Sequence, residues 1–358
     1  MLMKRIVLTG GGTAGHVTPN MALIPRLLED GWDVHYIGAA NSVEQNLIGQ
    51  FPQVTFHTVA VGKLRRYFDL KNFSDPFRVI KGVFQAQSII RELKPNVVFS
   101  KGGFVSVPVV YGAKLNGVPV VTHESDMTPG LANKLSLPFS CAQCCTFPEA
   151  IKYAHGKGVY TGTPIRPEIL QGDRDRGRRF FGLDETMPVI MVVGGSSGAR
   201  AINEAVLAAL PQLTANFQVL HLCGKGNLSA ALEGTPHYVQ CEYLNEEMAD
   251  AYACADILIS RAGSNALCEI LALKKPALLI PYPKGASRGD QILNAESFRQ
   301  RGFSHVLMQE DMTPERLVEA AIHLYHDRGS LYEAMSADAS NTNGVDRVLE
   351  IIYKNAKQ

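Results

Sequence analysis

The sequence has almost no net charge and no long apolar run. Its 35 Lys and Arg residues balance 34 Asp and Glu residues, for a formal net charge of +1. No overall positive charge therefore favours a nucleic-acid partner. No apolar run approaches the roughly 18 residues of a membrane-spanning helix, and Met1–Arg5 leads directly into a predicted strand without a signal peptide. We expect any membrane contact to be peripheral.

Cysteine is scarce and its count is odd. The seven cysteines lie mostly in apolar, strand-like runs, which is typical of reduced, buried thiols in a cytosolic protein. The cluster Cys141, Cys144 and Cys145 has no histidine or second cysteine pair at ligand spacing. We interpret it as a buried strand and expect neither a metal nor a cofactor.

Short β-branched runs alternate with amphipathic stretches through all 358 residues, which predicts two α/β domains with parallel sheets. The break falls in Thr161–Gly182, which contains two prolines and a charged run, so we place the linker there. The domains are then 1–165 with 341–358, and 166–340. The predicted strands are Arg5–Thr9, Val34–Ala39, Val54–Val61, Asn96–Ser100, Val118–His123, Cys141–Phe147, Val189–Gly194, Gln218–Cys223, Tyr238–Tyr243, Ile257–Ser260 and Ala277–Tyr282.

Each half opens with a strand that runs into glycines, at Gly10–Gly15 and at Gly194–Gly198. Glycine lets backbone N–H groups approach a phosphate, and the following helix N-terminus adds partial positive charge. Two such loops indicate a nucleotide-diphosphate compound in a cleft between the domains.

The first loop matches the dinucleotide pattern G-x-G-x-x-G, but an NAD site also needs an acid where the second strand ends. That strand ends at Ile37–Asn41, which contains no carboxylate. A carboxylate for a ribose is instead found at Glu269, in a predicted helix that Gly263 and Ser264 open. The other interpretation of Glu269 is a solvated helical charge; its apolar neighbours favour the functional one.

Six segments, in order along nearly the whole chain, resemble the MurG family of glycosyltransferases. They are Gly11–Pro19 (GGTAGHVTP), Lys101–Pro108 (KGGFVSVP), His123–Asp126 (HESD), Gly162–Arg166 (GTPIR), Gly194–Arg200 (GGSSGAR) and Arg288–Ala295 (RGDQILNA). The resemblance implies a GT-B fold, with two Rossmann-like domains facing a cleft and a C-terminal helix returning to the first. The first domain would hold the acceptor and associate with the membrane; the second would bind the donor.

The resemblance also implies an activity: inverting transfer of N-acetylglucosamine from UDP-N-acetylglucosamine to the C4 hydroxyl of undecaprenyl-pyrophosphoryl-N-acetylmuramyl-pentapeptide (lipid I). The product is lipid II, a precursor of the peptidoglycan that determines cell shape and division. Two alternatives remain. One is another GT-B enzyme, such as a UDP-N-acetylglucosamine 2-epimerase or a glycolipid synthase. The other is a non-catalytic module that binds a sugar nucleotide.

Site residues follow from the same resemblance, position by position. The implied donor contacts are Thr13, Ala14, Gly15, Arg166, Ser196, Leu244, Ser264, Asn265, Ala266, Leu267, Cys268, Glu269 and Gln291. The sequence departs from the commonest pattern at Ala14, Phe104 and Asp126, where many members have glycine, tyrosine and asparagine. The third departure matters most, because a carboxylate cannot donate a hydrogen bond and repels phosphate.

Inverting transfer needs a base for the acceptor hydroxyl. His16 is the first candidate, since the positive end of a helix keeps an imidazole neutral and basic. Its other interpretation is a helix cap or phosphate ligand, and Glu124 and Asp126 are rival bases.

We expect backbone N–H groups at Ser196–Gly198 and Gly263–Ser264, with Arg166, to stabilise the leaving diphosphate without a metal. Asp173-Arg-Asp175 matches a D-x-D metal motif, but we interpret it as a solvated linker.

Lys63–Phe84 is locally basic and aromatic. Six basic and two acidic residues give it a charge of +4, and Phe73, Phe77, Ile80 and Phe84 recur at helical spacing, flanked by Lys71, Arg78 and Lys81. A basic rim around an apolar stripe suits anionic lipid. The alternative is a stripe that packs on the sheet. We predict a peripheral protein on the cytoplasmic side of the cell membrane.

Overall fold

The computed structural model describes residues 3–62, 75–195, 198–285, 289–338 and 344–358. The chain divides into two compact units. Unit 1 comprises Met1–Arg166 and Asn343–Gln358, and unit 2 comprises Pro167–Thr342.

Unit 1 contains a parallel sheet of seven strands in the order β3-β2-β1-β4-β5-β6-β7. Parallel strands bring their carboxyl ends to one edge, and the order reverses between β1 and β4, which is where open α/β sheets bind ligands. The strands are β1 (Arg5–Thr9), β2 (Asp33–Gly38), β3 (Thr55–Thr58), β4 (Val97–Ser100), β5 (Val120–Glu124), β6 (Ala142–Cys145) and β7 (Gly158–Tyr160).

Helices cover both faces of this sheet, and two buried apolar clusters fill the space between. The central strands are buried over almost their whole length and contain apolar runs, as a sheet covered on both faces requires. The helices are α1 (Thr18–Glu29), α2 (Val43–Ile48), α3 (Asp75–Leu93), α4 (Ser106–Leu115) and α5 (Leu131–Ser136). Short 3₁₀ helices span Ala14–His16, Leu137–Phe139 and Pro148–Tyr153.

Unit 2 repeats the plan with six parallel strands in the order β10-β9-β8-β11-β12-β13. They are β8 (Val189–Val193), β9 (Gln218–Leu222), β10 (Tyr238–Cys241), β11 (Ile257–Ser260), β12 (Ala277–Leu279) and β13 (Ser304–Val306). The helices are α6 (Arg174–Phe181), α7 (Arg200–Ala208), α8 (Leu210–Thr214), α9 (Met248–Cys254), α10 (Ser264–Leu273), α11 (Asp290–Gln300) and α12 (Pro314–Ala337). Short 3₁₀ helices span Pro167–Gln171, Ala230–Leu232 and Gln309–Asp311.

The last helix, α13 (Gly344–Asn355), belongs to unit 1, as the GT-B expectation requires. It packs against α1 and the strands β4, β5 and β6. Tyr353 stacks on Trp32 with ring centroids 5.3 Å apart, and its hydroxyl donates a hydrogen bond to Asp30 at 2.6 Å. Val345, Val348 and other apolar residues of α13 therefore complete the core of unit 1.

All eleven predicted strands are present, with bounds that differ by a few residues. The apolar-strand interpretation of Cys144 and Cys145 is confirmed, since both are buried in β6, where burial raises the pKa of each thiol. The linker prediction is wrong for the charged run. That run forms helix α6, which Asp173 caps at its N-terminus and Gly182 ends in a left-handed conformation (φ +64°).

Candidate functional site

Two glycine-rich loops meet at the carboxyl edge of the unit 1 sheet. One follows β1 and the other follows β4. A Cβ placed on Gly12 (φ +88°) would lie 2.3 Å from Phe104 Cε1, and one on Gly103 (φ +81°) would lie 2.2 Å from the Gly11 carbonyl oxygen. Only glycine fits at these two positions, because both the backbone angles and the space exclude a side chain.

His16 lies at this junction. It ends the Ala14–His16 3₁₀ helix, two residues before α1, and its backbone N–H donates to the Thr13 carbonyl at 3.1 Å. The imidazole is half-buried, and its Cδ2 would be 3.0 Å from a Cβ on Gly103. Thr13 and Gly15 are exposed and Ala14 is half-buried, so this segment is accessible to a ligand.

Glu44 on α2 holds the first loop from inside, a role that sequence reasoning missed. Its carboxylate accepts hydrogen bonds from Gly12 N at 3.2 Å and Ala39 N at 3.1 Å, and the residue is 1% exposed. Gly11 packs against it, since a Cβ there would be 2.5 Å from Glu44 Cδ. The sequence offers no signal for this role, because an acid in the first turn of a helix is already explained by the helix dipole.

The rival base Glu124 ends β5 and is buried. Its two carboxylate oxygens accept hydrogen bonds from Asp126 N at 3.0 Å, Gly130 N at 3.1 Å and Asn133 Nδ2 at 2.8 Å. Burial raises the pKa of Glu124, and the hydrogen bonds oppose that rise. Asp126 is half-buried beside it. This arrangement uses Glu124 to order the loop that leads to α5.

A buried lysine follows β4. Lys101 is 0% exposed, and its Nζ lies 3.0 Å from His123 Nδ1 and donates to Ser125 Oγ. His123 Nε2 is 2.9 Å from the Gly162 carbonyl, so Nε2 donates there and Nδ1 accepts from the ammonium group. Burial and the neighbouring Lys101 charge hold the pKa of His123 well below its ordinary value. The sequence singled out both segments but gave no sign of this contact.

In unit 2, the predicted donor segment opens α10 at the carboxyl edge of the sheet. Gly263 is the N-cap, and Ser264, Asn265, Ala266, Cys268 and Glu269 are half-buried. Tyr252 on α9 donates a hydrogen bond from its hydroxyl to Glu269 Oε2 at 3.0 Å, which orients the carboxylate. Leu267 is fully buried, so its side chain packs inside unit 2.

A second group of unit 2 residues surrounds Gln291 on α11. Gln291 Oε1 accepts from Tyr282 N at 3.2 Å. The Tyr282 ring in turn stacks on the buried Arg261 guanidinium at 4.1 Å, and Arg261 donates to the Ile280 carbonyl at 2.9 Å. Leu244 is buried, so we expect any contact with a ligand to come from its backbone. These contacts fix the Gln291 side chain beside the loop after β12.

The remaining predicted donor residues lie at the edges of the described chain. Ser196 falls outside the described residues. Gly198 next to it has φ +73°, and a Cβ there would be 2.0 Å from the Cys223 carbonyl oxygen. Arg166 is half-buried, and within the described chain its Nε has no hydrogen-bond partner.

The D-x-D motif has a structural role. Asp173 accepts from Arg176 N at 2.6 Å as the N-cap of α6, and Asp175 lies in the first turn of that helix. Arg176 pairs with Asp250 on α9. Among the residues that the structure describes, no group of three or more His, Cys, Asp or Glu side chains could hold a metal ion.

The predicted membrane segment is described from α3 onward. Residues 63–74, which include Lys71 and Phe73, lie outside the described residues. On α3, Phe77 is 75% exposed, Ile80 54% and Phe84 63%, and Arg78 and Lys81 are also exposed. The alternative that this stripe packs on the sheet is therefore wrong for these three residues. In the described part of the chain, no helix is long and apolar enough to span a membrane.

Two Rossmann-like units, with a C-terminal helix that returns to the first, make up a GT-B fold, and the glycosyltransferase family follows from sequence. Residues 6–142 match the glycosyltransferase family 28 N-terminal domain, and residues 189–349 match the family's C-terminal domain. The chain belongs to glycosyltransferase family 28.

Full-length relatives narrow the comparison. A protein of Lachnospira eligens is 52% identical over 99% of this chain and 100% of its own length, and one of Geobacillus kaustophilus is 51% identical over the same shares. Both are named UDP-N-acetylglucosamine--N-acetylmuramyl-(pentapeptide) pyrophosphoryl-undecaprenol N-acetylglucosamine transferase. The crystal structure of Acinetobacter baumannii MurG is 25% identical and superposes with a TM-score of 0.77, covering 98% of this chain and 99% of that one.

Proposed function

We propose that this chain transfers N-acetylglucosamine from UDP-N-acetylglucosamine to the C4 hydroxyl of undecaprenyl-pyrophosphoryl-N-acetylmuramyl-pentapeptide, with inversion, and thereby forms lipid II for peptidoglycan synthesis. One observation carries the proposal: relatives that bear this activity in their names are about half identical to the chain over its whole length. Similarity that extends through both units covers the donor half and the acceptor half of the reaction.

The direct test is transfer of labelled N-acetylglucosamine from its UDP donor to a lipid I analogue, followed by chromatography. We expect a labelled disaccharide product that appears only when both substrates are present. Release of UDP with formation of N-acetylmannosamine, without any acceptor, would identify an epimerase. Donor binding without turnover would identify a non-catalytic module. Either result would overturn the proposal.

For the donor, we assign the uridine ribose to Glu269 and the diphosphate to the start of α10. Among the described residues no side chain caps the helix N-terminus at Gly263 and Ser264, and its partial positive charge suits a diphosphate. The unpartnered Nε of Arg166, among described residues, suits the same anion. Leu244 and Leu267 would contribute backbone groups, and Gln291 and the 264–268 segment the remaining contacts.

For the acceptor, we assign the base to His16. Its half-buried imidazole sits where the two unit 1 loops meet, whereas Glu124 already accepts three hydrogen bonds within the protein. A proton acceptor must have a lone pair that faces the substrate hydroxyl, which the geometry of Glu124 does not favour. We accordingly assign Asp126 as a neighbour of the acceptor rather than as the base.

We further propose that departure of UDP is assisted by backbone amides and Arg166 rather than by a bound divalent ion. A helix N-terminus stabilises developing negative charge without reorganisation. Activity should persist after exhaustive chelation of the enzyme and substrates. Loss of turnover that magnesium or manganese restores, with donor affinity unchanged by chelation, would contradict this assignment.

Membrane association is proposed to occur through the exposed face of α3, on the cytoplasmic side. Phe77, Ile80 and Phe84 supply apolar surface, and Arg78 and Lys81 supply charge. Each basic residue near an anionic surface contributes about 1 kcal/mol, and salt screens that part alone.

A vesicle sedimentation assay separates the two contributions. Arg78→Glu with Lys81→Glu should weaken binding at low salt, and Phe77→Ser with Phe84→Ser should weaken it at every salt concentration. Thermal melts confirm that each variant is folded. If both folded double variants sediment with anionic vesicles like the parent, the contact lies elsewhere.

A further inference from the structure

An apolar groove of about 670 Å³ lies in unit 1 beside the candidate site. Helix α4 packs against both α3 and α5, and all three helices line the groove. On α4 the lining residues are Val107, Tyr111 and Leu115, which are four residues apart and therefore share one face. None of the lining side chains that the structure describes is charged. The volume is that of a pocket for a drug-sized ligand.

The groove is open to solvent along its length. Ile80 and Phe84 of α3 and Leu131 of α5 line it, and each is about half exposed or more. Apolar surface left exposed in a contiguous patch marks a binding site, because burial of such surface stabilises by roughly 25 cal/mol per Å². These side chains are thus available to an apolar ligand.

One end of the groove reaches the first glycine loop. Phe104 lines the groove, and its ring lies directly against the backbone of Gly12, four residues before His16. The groove and the loop that precedes His16 therefore lie on either side of the Phe104 ring. Exposed cations, Arg78 and Lys81, stand on the same helix as Ile80 and Phe84.

We infer that this groove holds the first isoprene units of the acceptor, those next to its diphosphate. The inference rests on the proposed function, which supplies an acceptor with a polyprenyl chain on an anionic diphosphate. The groove matches both parts of this acceptor. Its described lining is uncharged and suits the polyprenyl chain, and the cations Arg78 and Lys81 lie near it for the phosphates. The chain then leaves the bilayer for a surface as apolar as lipid, so that the sugar reaches His16 without a solvent-exposed hydrocarbon segment.

A hydrocarbon chain fits this groove better than a peptide does. A peptide carries backbone N–H and C=O groups, which must find hydrogen-bond partners when they are buried. Apart from the Tyr111 hydroxyl, the described lining side chains offer no polar group. A polyprenyl chain has no such requirement.

The test uses acceptors that carry one, two, three or four isoprene units, assayed without membranes or detergent and below their aggregation concentrations. For the parent enzyme, we expect kcat/KM for the acceptor to rise about tenfold or more from one unit to four, because each buried methylene contributes to binding. Ala132→Trp, which fills the groove from α5, should flatten this rise, because the longer chains lose the surface that binds them.

Phe84→Ser and Phe77→Ser form a matched pair. Both rings are exposed on α3, but only Phe84 lines the groove. Phe84→Ser should reduce the dependence on chain length, and Phe77→Ser should retain it. Thermal melts check folding. If both variants, and Ala132→Trp, keep the parent's dependence, the groove does not hold the chain. Failure of the proposed function would look different, since no acceptor of any length would then receive the sugar.

Discussion

Glu44 in unit 1 and Glu269 in unit 2 both stand on helices at the carboxyl edge of a parallel sheet, but their carboxylates have different surroundings. Glu44 is 1% exposed and accepts the N–H groups of Gly12 and Ala39. Glu269 is half-buried and is oriented by the Tyr252 hydroxyl.

The different surroundings of the two carboxylates give the glycine-rich loop of unit 1 and the start of α10 in unit 2 different roles. In unit 1 the protein's own carboxylate takes the Gly12 amide, so that N–H group is not available to a substrate phosphate. This loop is then a support that fixes the neighbouring 3₁₀ helix and His16. In unit 2 no side chain of the described residues caps the start of α10, and Glu269 lies about one helical turn further on. On the proposed assignment, unit 1 positions the chemistry, and unit 2 holds the uridine ribose.

The sharpest test of this contrast is His16→Ala, which should lower kcat by about 10²–10⁴-fold, the usual contribution of a positioned base. Donor affinity, measured by calorimetry, should change far less, because the proposed donor contacts at Glu269, the start of α10 and Arg166 do not include His16. His155→Asn, an exposed histidine of unit 1, serves as the control. If UDP-sugar binding is lost while turnover at saturation survives, His16 is a phosphate ligand.

Glu44→Gln tests whether unit 1 depends on an internal acid. An amide can accept only one of the two backbone hydrogen bonds and turns an N–H group toward the other donor, so we expect about 1.5–3 kcal/mol less stability. Urea unfolding followed by fluorescence of Trp32, the single tryptophan and a buried residue of unit 1, reports it. Glu29→Gln on the surface should change stability by less than about 0.5 kcal/mol. Equal effects of the two variants would refute the role of Glu44.

Glu269→Ala should weaken donor binding by about 1.5–3 kcal/mol, the usual contribution of charge-assisted hydrogen bonds. Tyr252→Phe should have a smaller effect of the same kind, about 1 kcal/mol, because it removes only the group that orients the carboxylate. Calorimetric titration with UDP measures both. If Glu269→Ala leaves the affinity for UDP unchanged, Glu269 does not bind the ribose. If Tyr252→Phe loses more affinity than Glu269→Ala, Tyr252 does more than orient the carboxylate.

Acid stability provides a test within unit 2 and concerns His221 on β9, which is hydrogen-bonded to Tyr238 and Asn203. Burial lowers the pKa of His221 to about 4. The unfolded chain, with a histidine pKa near 6.5, binds the extra proton first, so stability falls as pH drops from about 6.5 toward 4. We expect about 2 kcal/mol to be lost between pH 7 and pH 5.

Urea unfolding followed by circular dichroism measures this loss. In the His221→Gln variant, the free energy of unfolding should depend less steeply on pH. Part of the dependence should remain, because burial also lowers the pKa of His123. The exposed His326→Gln should leave the slope unchanged. If the folded His221→Gln variant loses stability with falling pH as steeply as the parent does, His221 is not the source of the loss.

Sequence patterns predicted most of this architecture, and the exceptions have physical causes. Gly158–Tyr160 and Ser304–Val306 were missed because three-residue edge strands are too short to show a period. Helix α6 was missed because its capping residues, Asp173 and Gly182, were outweighed by the dense charge between them.

The site was predictable only where chemistry follows a local motif. Gly263 and Glu269 could be placed by the helix they share. Glu44, in contrast, acts across 32 residues on Gly12, and Tyr252 acts on Glu269 from a different helix. Contacts of this kind depend on packing of separate elements, which a single sequence does not encode in any local pattern.

Helix α13 has a consequence for how the protein is made. Residues 344–355 complete the unit 1 core, yet the ribosome synthesises the whole of unit 2 before them. At about 5–20 residues per second, the unit 1 sheet waits on the order of ten seconds or longer for its last helix. Unit 2 is therefore free to finish folding first, and during that interval the α13-binding face of unit 1 is the surface on which a chaperone would act.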